Sequence, residues 1–510
     1  FFIILNVMYM IKKYKTNFLI KNTLILISSS LIIKALSLLN RIVITRLLGQ
    51  DGISLYVLTL PTIMLLCSIS GFSLNITLSK ITAENEKTNE YTRKQILKVG
   101  IYLGLYATIL TSIVFILLFK FIVLYLLKQS DCYYPLLISL TMIPFSMLNG
   151  VYRGFYNGLD NIKTSSNSAL IEQIGRMIFS TLLLLIFSKK GLIVSVSISV
   201  FSMTIGEICS LLYNIFKVKK VLNKTCNNIN SLKNLEKKIF TLSFSETLSH
   251  LVINLSFFLE PIIYTYVLGK INISQNEIMY HYSEVNAYAL PLLTMFIFTS
   301  SCIATVIIPT ISKNNYNNNS KVLTENALRF SLIPGILLGI ILYFYGDKYM
   351  YFLYKSTSGS YFVRNYSLMF VLFYINPVLL SVLQAHGKQK NILIISICCC
   401  AIKLLLILSL TFIKEIGYKS LFYSVIIINI IHTLIYYIYT KKLLKIEIQL
   451  RELIKMILFF GINFYIMYIL KYLKLNFIIS SLVFSLIYIV LVKLFILKDI
   501  SLKTTCSDNK

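Results

Sequence analysis

The chain has 510 residues, of which 57% are hydrophobic and only 14% charged, with a formal net charge of +29. The hydrophobic excess excludes an ordinary soluble domain, and the absence of alternating strands of about ten residues excludes a membrane barrel. Basic residues fall mostly in loops between apolar runs, so their surplus reads as membrane topology rather than as a nucleic-acid surface.

The apolar runs are about 18 to 28 residues long, enough to cross a hydrocarbon core about 30 Å thick as helices. The fold class is therefore an all-α polytopic membrane protein with about 14 transmembrane helices. They are expected at 22–44, 53–78, 97–125, 134–157, 165–188, 192–216, 240–268, 284–311, 325–345, 362–385, 391–412, 418–440, 452–470 and 476–497.

Residues 1–21 form a short apolar start followed by Lys12, Lys13, Lys15 and Lys21, the reverse of the order in a cleavable signal peptide. The first helix then carries Lys34 and Arg41 seven residues apart, hence on one face, with Arg46 near its outer end. A cation at the centre of a spanning helix costs about 2.5–3.5 kcal/mol, so several together call for a polar cavity or partners. A cleft lined by them would attract an anionic head group, since the guanidinium fork suits phosphate. End-of-helix snorkelling is the alternative for Arg46 and for Arg329 in the ninth helix.

The segment Asn149–Arg176, NGVYRGFYNGLDNIKTSSNSALIEQIGR, is the most unusual. Gly150, Gly154 and Gly158 recur every fourth residue and should let a neighbouring helix backbone approach. Arg153 lies on the same helix. Ser165, Ser166 and Ser168 are expected to cap the next one, which carries Glu172 and Arg176 four residues apart. These last two either neutralise one another or serve a site, and the spacing fits both.

The segment 217–239 is a basic linker suited to an anionic inner leaflet or to solvent. It separates a first lobe, 22–216, from a second, 240–440. Residues 441–497 add two helices, and 498–510 form a tail. A weak repeat supports the division. TRLLGQDG, TLSKI and YRGFYNGLDN in the first half find counterparts in YVLGKIN, IPTISKN and VLQAHGKQKN in the second, in the same order. Six helices separate the copies, so the lobes should be pseudo-symmetric about an axis along the membrane normal. Lysine density in alternate loops places both termini in the cytoplasm.

Glu172, Glu207, Glu246, Glu260 and Glu284 are the acidic candidates within apolar helices. Glu246 and Glu260, on the seventh helix, are candidates for ion coupling, because an unpaired carboxylate there could bind H⁺ or Na⁺. No other cofactor is expected. His250, His281, His386 and His432 lie on separate elements, and HExxH, Walker and nucleophile-elbow motifs are absent, so no catalytic or metal residues are assigned. The nine cysteines suggest no disulfide framework. Adjacent Cys398, Cys399 and Cys400 point about 100° apart on a helix and cannot share one metal.

The segment YRGFYNGLDNIKTSSNSALIEQIGR resembles the RGYFQGLQNMIPTALSQVVEQIVR-type segment of the stage V sporulation protein B family, polysaccharide-exporter relatives of the lipid II flippases. The first-helix sequence IIKALSLLNRIVITRLLGQDGISLYVLTLP is similar to that family's basic helix ending in LLG. With IPTIS and QAHGKQKN, the resemblance covers about residues 20–450. It departs at Asp160-Asn161, which lacks the usual following Pro.

The resemblance implies a non-enzymatic flippase of the multidrug/oligosaccharidyl-lipid/polysaccharide superfamily. It would move an undecaprenyl-pyrophosphate-linked peptidoglycan precursor or polysaccharide intermediate across the bacterial cell membrane by alternating access, in cell-wall or spore-cortex synthesis. It implies Lys34, Arg41, Arg46, Arg153, Glu172 and Arg176 as substrate-binding residues, and cell-wall synthesis proteins as partners. The alternatives are a multidrug/cation antiporter, which would need an acidic aromatic cavity, and a non-transporting scaffold for cell-wall synthesis.

Overall fold

The computed structural model describes residues 17–219, 221–222, 232–313, 318–413, 415–444 and 450–497. The expected segments 1–21, 217–239 and 498–510 lie wholly or partly outside these residues. Among the described residues the regular structure is helical, with no strand.

Among the described residues, eleven helices are long and apolar enough to cross a membrane, thirteen if each of two bent pairs is one span. The bent pairs fall on the expected spans 284–311 and 362–385, with bends of 59° and 79°. The remaining difference from the expected count lies at Gly49. There φ 67° and ψ −169° break the helix Asn17–Gly71 into two pieces, a conformation that glycine adopts without steric cost. The chain is a multi-pass membrane protein. Leu117, Leu185, Ile186, Leu405 and Leu486 are each more than half exposed, as a lipid-facing surface requires.

By internal contacts the chain divides into two units. One holds the described residues through Ser283 together with Cys400–Leu421; the other holds Glu284–Cys399 and the described residues from Phe422 onward. The first unit contains α1 (Asn17–Gly71), α2 (Leu74–Thr88), α3 (Arg93–Lys120), α4 (Tyr133–Ser139), α5 (Met142–Gly158), α6 (Ile162–Phe187), α7 (Leu192–Val218), α8 (Leu232–Lys270) and α9 (Gln275–Ser283). Its core gathers Leu74, Leu78, Ile96, Leu103, Met147, Val151, Phe155 and Tyr156 from α2, α3 and α5. Residues 240–283, grouped with the later lobe by the sequence repeat, pack within this unit because α8 lies against α1, α2 and α3.

The other unit contains α10 (Leu290–Leu293), α11 (Ile297–Lys313), α12 (Asn318–Tyr354), α13 (Ser360–Tyr366), α14 (Asn376–Ala385), α16 (Ser420–Leu444), α17 (Leu450–Tyr472) and α18 (Phe477–Val492); α15 (Gln389–Thr411) precedes α16 and is divided between the units. Phe330, Ile340, Val382, Phe459, Phe484 and Tyr488 form its core. Tyr488 donates its hydroxyl to the main-chain oxygen of Ile333 at 2.8 Å, which ties α18 to α12. A buried tyrosine needs such an acceptor to offset the loss of water.

Candidate functional site

The α5–α6 hairpin is built by local chemistry. Helix α5 ends at Gly158, and Asp160 takes a left-handed φ of 56° that turns the chain. Asn161, not the serines, caps α6: its side-chain oxygen accepts from the Thr164 hydroxyl at 2.8 Å and from the Thr164 amide at 3.4 Å. Ser165, Ser166 and Ser168 lie buried one turn further in, a correction to the expected cap. The cap went to the residue whose carboxamide stands just before the first helical N–H groups, where it can reach them.

Two of the three glycines set the close approach. A Cβ on Gly154 would stand 2.4 Å from the main-chain oxygen of Asn75, and one on Gly158 would stand 2.6 Å from that of Ser79, so α5 and α2 touch backbone to backbone. Gly150 faces open space and does not share this role.

With its glycines against α2, α5 presents Arg153 to α6 and α7. The Arg153 guanidinium donates to Glu172 at 2.6 Å, to the Ser168 hydroxyl at 3.1 Å and to the Ser210 hydroxyl at 2.9 Å. The other Glu172 oxygen accepts from Arg176 at 2.7 Å. Arg176 also lies 3.9 Å from Glu207 on α7. Glu207 accepts from the Asn149 amide at 2.8 Å, and Asn149 in turn accepts from the Asn214 amide at 2.8 Å. The Tyr156 hydroxyl closes the far end on the main-chain oxygen of Asn214 at 2.8 Å.

Two guanidinium groups and two carboxylates thus balance within one network across three helices. Desolvation makes each of these charges costly alone, and mutual pairing with hydrogen-bonding neighbours offsets that cost. The small residue Gly206 makes the approach of α6 and α7 feasible, since a Cβ there would stand 2.8 Å from the main-chain oxygen of Glu172.

Of the expected site residues, the structure therefore brings Arg153, Glu172 and Arg176 together. Arg41 is half-buried on α1. The adjacent Asn40 accepts from the Ser180 hydroxyl of α6 at 2.6 Å, which fixes α1 against the same helix. Lys34 and Arg46 are exposed.

Glu260 and Glu246 are not equivalent. Glu260 is paired with Lys403 from the 400–421 segment, with the Tyr282 hydroxyl 3.5 Å from its other oxygen. Lys403 also stands over the Phe257 ring, 4.8 Å from its centroid. Glu246 is half-buried about four turns earlier on the same helix.

Sequence reasoning named Glu207 only as an acidic candidate, and it missed Asn149, Ser168, Ser210, Asn214 and Lys403 as partners. Small polar residues inside apolar helices were the available signal. They recur on α7 as Ser195, Ser199, Ser202, Ser210 and Asn214, all buried.

Comparison with known proteins adds a family and a fold. A family model described as "Polysaccharide biosynthesis protein" matches residues 19–315. The chain is 27% identical over 443 residues to stage V sporulation protein B of Bacillus subtilis, covering 85% of each chain. It is 24% identical over 424 residues to lipid II flippase MurJ of Bacillus subtilis, covering 76% of each. A solved structure of lipid II flippase MurJ in an inward closed conformation matches with a TM-score of 0.68 at 17% identity, over 93% of this chain and 100% of that one. An inward-facing multidrug resistance MATE family transporter of the MOP superfamily matches with a TM-score of 0.64 at 11% identity, over 83% of this chain and 98% of the other.

Proposed function

The chain belongs to the polysaccharide biosynthesis protein family, and from that membership we propose that it is a flippase for lipid-linked saccharide intermediates. Its substrate on this reading is an undecaprenyl-pyrophosphate-linked oligosaccharide, either a peptidoglycan precursor of the lipid II kind or a related polysaccharide intermediate. It moves that substrate between leaflets of the bacterial cell membrane by alternating access, with both termini in the cytoplasm, in the service of cell-wall or spore-cortex synthesis. The observation that carries the reading is the family match over residues 19–315, which takes in α1 and the whole α5–α7 network. The printed names of the two Bacillus relatives agree with it.

The charge balance suggests how the residues divide their work. Arg153 and Arg176 already satisfy Glu172 and Glu207, so a pyrophosphate would have to displace a carboxylate to reach them. Lys34, Arg41 and Arg46 recur along α1, with Lys34 and Arg41 seven residues apart and hence on one face. We assign pyrophosphate binding chiefly to Lys34, Arg41 and Arg46, and to Arg153, Glu172 and Arg176 the task of holding the helices that position Arg41. For ion coupling, Glu246 is the better candidate, because Lys403 neutralises Glu260.

The test is transbilayer movement of a labelled undecaprenyl-pyrophosphate-linked saccharide in proteoliposomes. Lys34→Gln combined with Arg41→Gln should slow movement by about tenfold or more, as loss of two charge-assisted phosphate contacts implies. Unchanged movement would overturn the assignment. Identifying the lipid-linked intermediate that accumulates on the inner leaflet when the protein is depleted would name the substrate.

A second reading, multidrug export, has the MATE-like fold in its favour and nothing more. It predicts drug sensitivity on deletion with no accumulated lipid intermediate.

A further inference from the structure

We propose that the unit from Glu284 onward carries a binding site for the phosphate head group of an anionic membrane lipid, at the shared end of α12, α17 and α18. Lipid docking there is separate from the substrate assigned above and stands without it.

The site is a pair of adjoining recesses. One, of about 380 Å³, is lined by Phe344, Tyr345, Lys348, Arg364, Lys471 and Lys474, with Asp347 at its edge. The other, of about 490 Å³, shares Asp347 and Lys348 and is walled by Tyr351, Phe352 and Phe477, with Lys355 at its rim. Asp347 lies 3.4 Å from Arg364 and is the single acid facing Lys348, Arg364, Lys471 and Lys474, so the first recess holds a surplus of positive charge.

The chain places this surplus by specific backbone devices. Helix α12 loses helical geometry at Tyr345, with φ −129° and ψ 18°, and the piece after it carries Asp347, Lys348, Tyr351 and Lys355. Gly346 lets α13 come close, since a Cβ there would stand 3.1 Å from the Val363 side chain and 3.4 Å from the Arg364 backbone. Lys474 in the α17–α18 turn and Lys355 just past α12 both take left-handed φ, 52° and 56°, where glycine or asparagine is usual. Phe477 packs against Tyr349 and Phe352, with ring centroids 5.3 and 6.0 Å apart, and Phe464 against Phe344 at 4.9 Å, which ties α18 and α17 to this part of α12.

Snorkelling explains single lysines that reach for the head-group layer, but it does not explain several converging on one recess, where like charges repel. A multivalent anion between them removes that repulsion. Lys348 over Tyr345 and Lys471 over Phe344, each 5.5 Å from the ring centroid, give the cations partners in its absence. The recess walled by Tyr351, Phe352 and Phe477 beside the basic one, together with Leu475 in the basic one, offers apolar surface for glycerol and the first acyl carbons. Free phosphate would have no use for that wall, whereas a lipid uses both.

The experiment uses the full chain in detergent, measuring thermal stability and retained lipid by native mass spectrometry. The probes are phosphatidylglycerol, phosphatidylcholine and inorganic phosphate. Wild type should retain phosphatidylglycerol in preference to phosphatidylcholine and gain melting temperature with it, while inorganic phosphate gives neither effect. Lys348→Gln, Lys471→Gln and Lys474→Gln together should weaken retention by on the order of tenfold or more and abolish the melting shift. Exchange of the same three lysines for arginine should preserve both, which separates loss of charge from loss of fold. Equal retention by wild type and the glutamine variant, or an equal shift with inorganic phosphate, would overturn the lipid site. Neither readout depends on transport, so failure here leaves the flippase reading standing.

Discussion

Asn149 and Glu207 meet across 58 residues of sequence: the Asn149 amide nitrogen donates to the main-chain oxygen of Glu207 at 2.7 Å and to its carboxylate at 2.8 Å. One side chain thereby donates to a main-chain carbonyl and to a buried carboxylate on α7 together. Asn149→Ala should lower stability by about 1–3 kcal/mol, because the buried carboxylate loses this donor away from water. Asn149→Asp should cost more, placing a carboxylate against a carboxylate. Thermal unfolding of the purified variants checks the order; a wild-type melting temperature for Asn149→Asp would contradict the network.

The Arg153–Glu172 pair predicts a strong non-additivity. Arg153→Met alone should cost about 3–5 kcal/mol, since it strips one partner from Glu172 and also from Ser168 and Ser210. Arg153→Met with Glu172→Met should cost less than the sum of the single changes by 1 kcal/mol or more. A double-mutant cycle on melting temperature reads this directly, and simple additivity would mean that the two charges do not support one another.

The glycine contacts can be tested by contrast within one helix. Gly154→Ala should destabilise by about 1–3 kcal/mol, because its Cβ would overlap the Asn75 carbonyl and neither backbone can yield easily. Gly206→Ala should behave likewise against Glu172. Gly150→Ala should be neutral or stabilising by up to about 1 kcal/mol, as alanine is the better helix former and nothing stands in its way. Equal effects at Gly150 and Gly154 would remove the packing role from Gly154.

Glu246 and Glu260 should part company in ion dependence. Glu260 is held by Lys403 and Tyr282, so Glu260→Gln should mainly lower stability by leaving the half-buried Lys403 with an uncharged partner. Lys403→Met combined with Glu260→Met should recover much of that loss. Glu246→Gln should change the response of transport to pH or Na⁺ without lowering the melting temperature. Transport assays across pH and Na⁺ in the two variants decide between them; the same response in both would assign coupling elsewhere.

Much of the membrane fold was legible in the chain because the bilayer imposes a one-dimensional rule: a run of apolar residues of sufficient length must become a spanning helix. The spans expected at 97–125, 134–157, 165–188 and 192–216 correspond to helices at Arg93–Leu126, Ser130–Gly158, Ile162–Lys190 and Leu192–Val218. Helical spacing also gave the Glu172–Arg176 pair and the close approach at Gly154 and Gly158. The break at Gly49 falls between the expected spans 22–44 and 53–78, whereas the same rule could not see that two later spans bend.

The sequence by itself determined the class of protein, the membrane-crossing stretches, the family resemblance and the charges that demanded explanation. Only the tertiary structure decided which charges answer one another. Glu207 meets Asn149 and Arg176, Glu260 meets Lys403, and Lys348 shares a recess with Lys471 and Lys474. Periodicity fixes the direction in which a side chain leaves its own helix but carries no information about which other helix stands there. That is set by helix packing, here by glycines and serines that let backbones approach, and the charge partners followed from it.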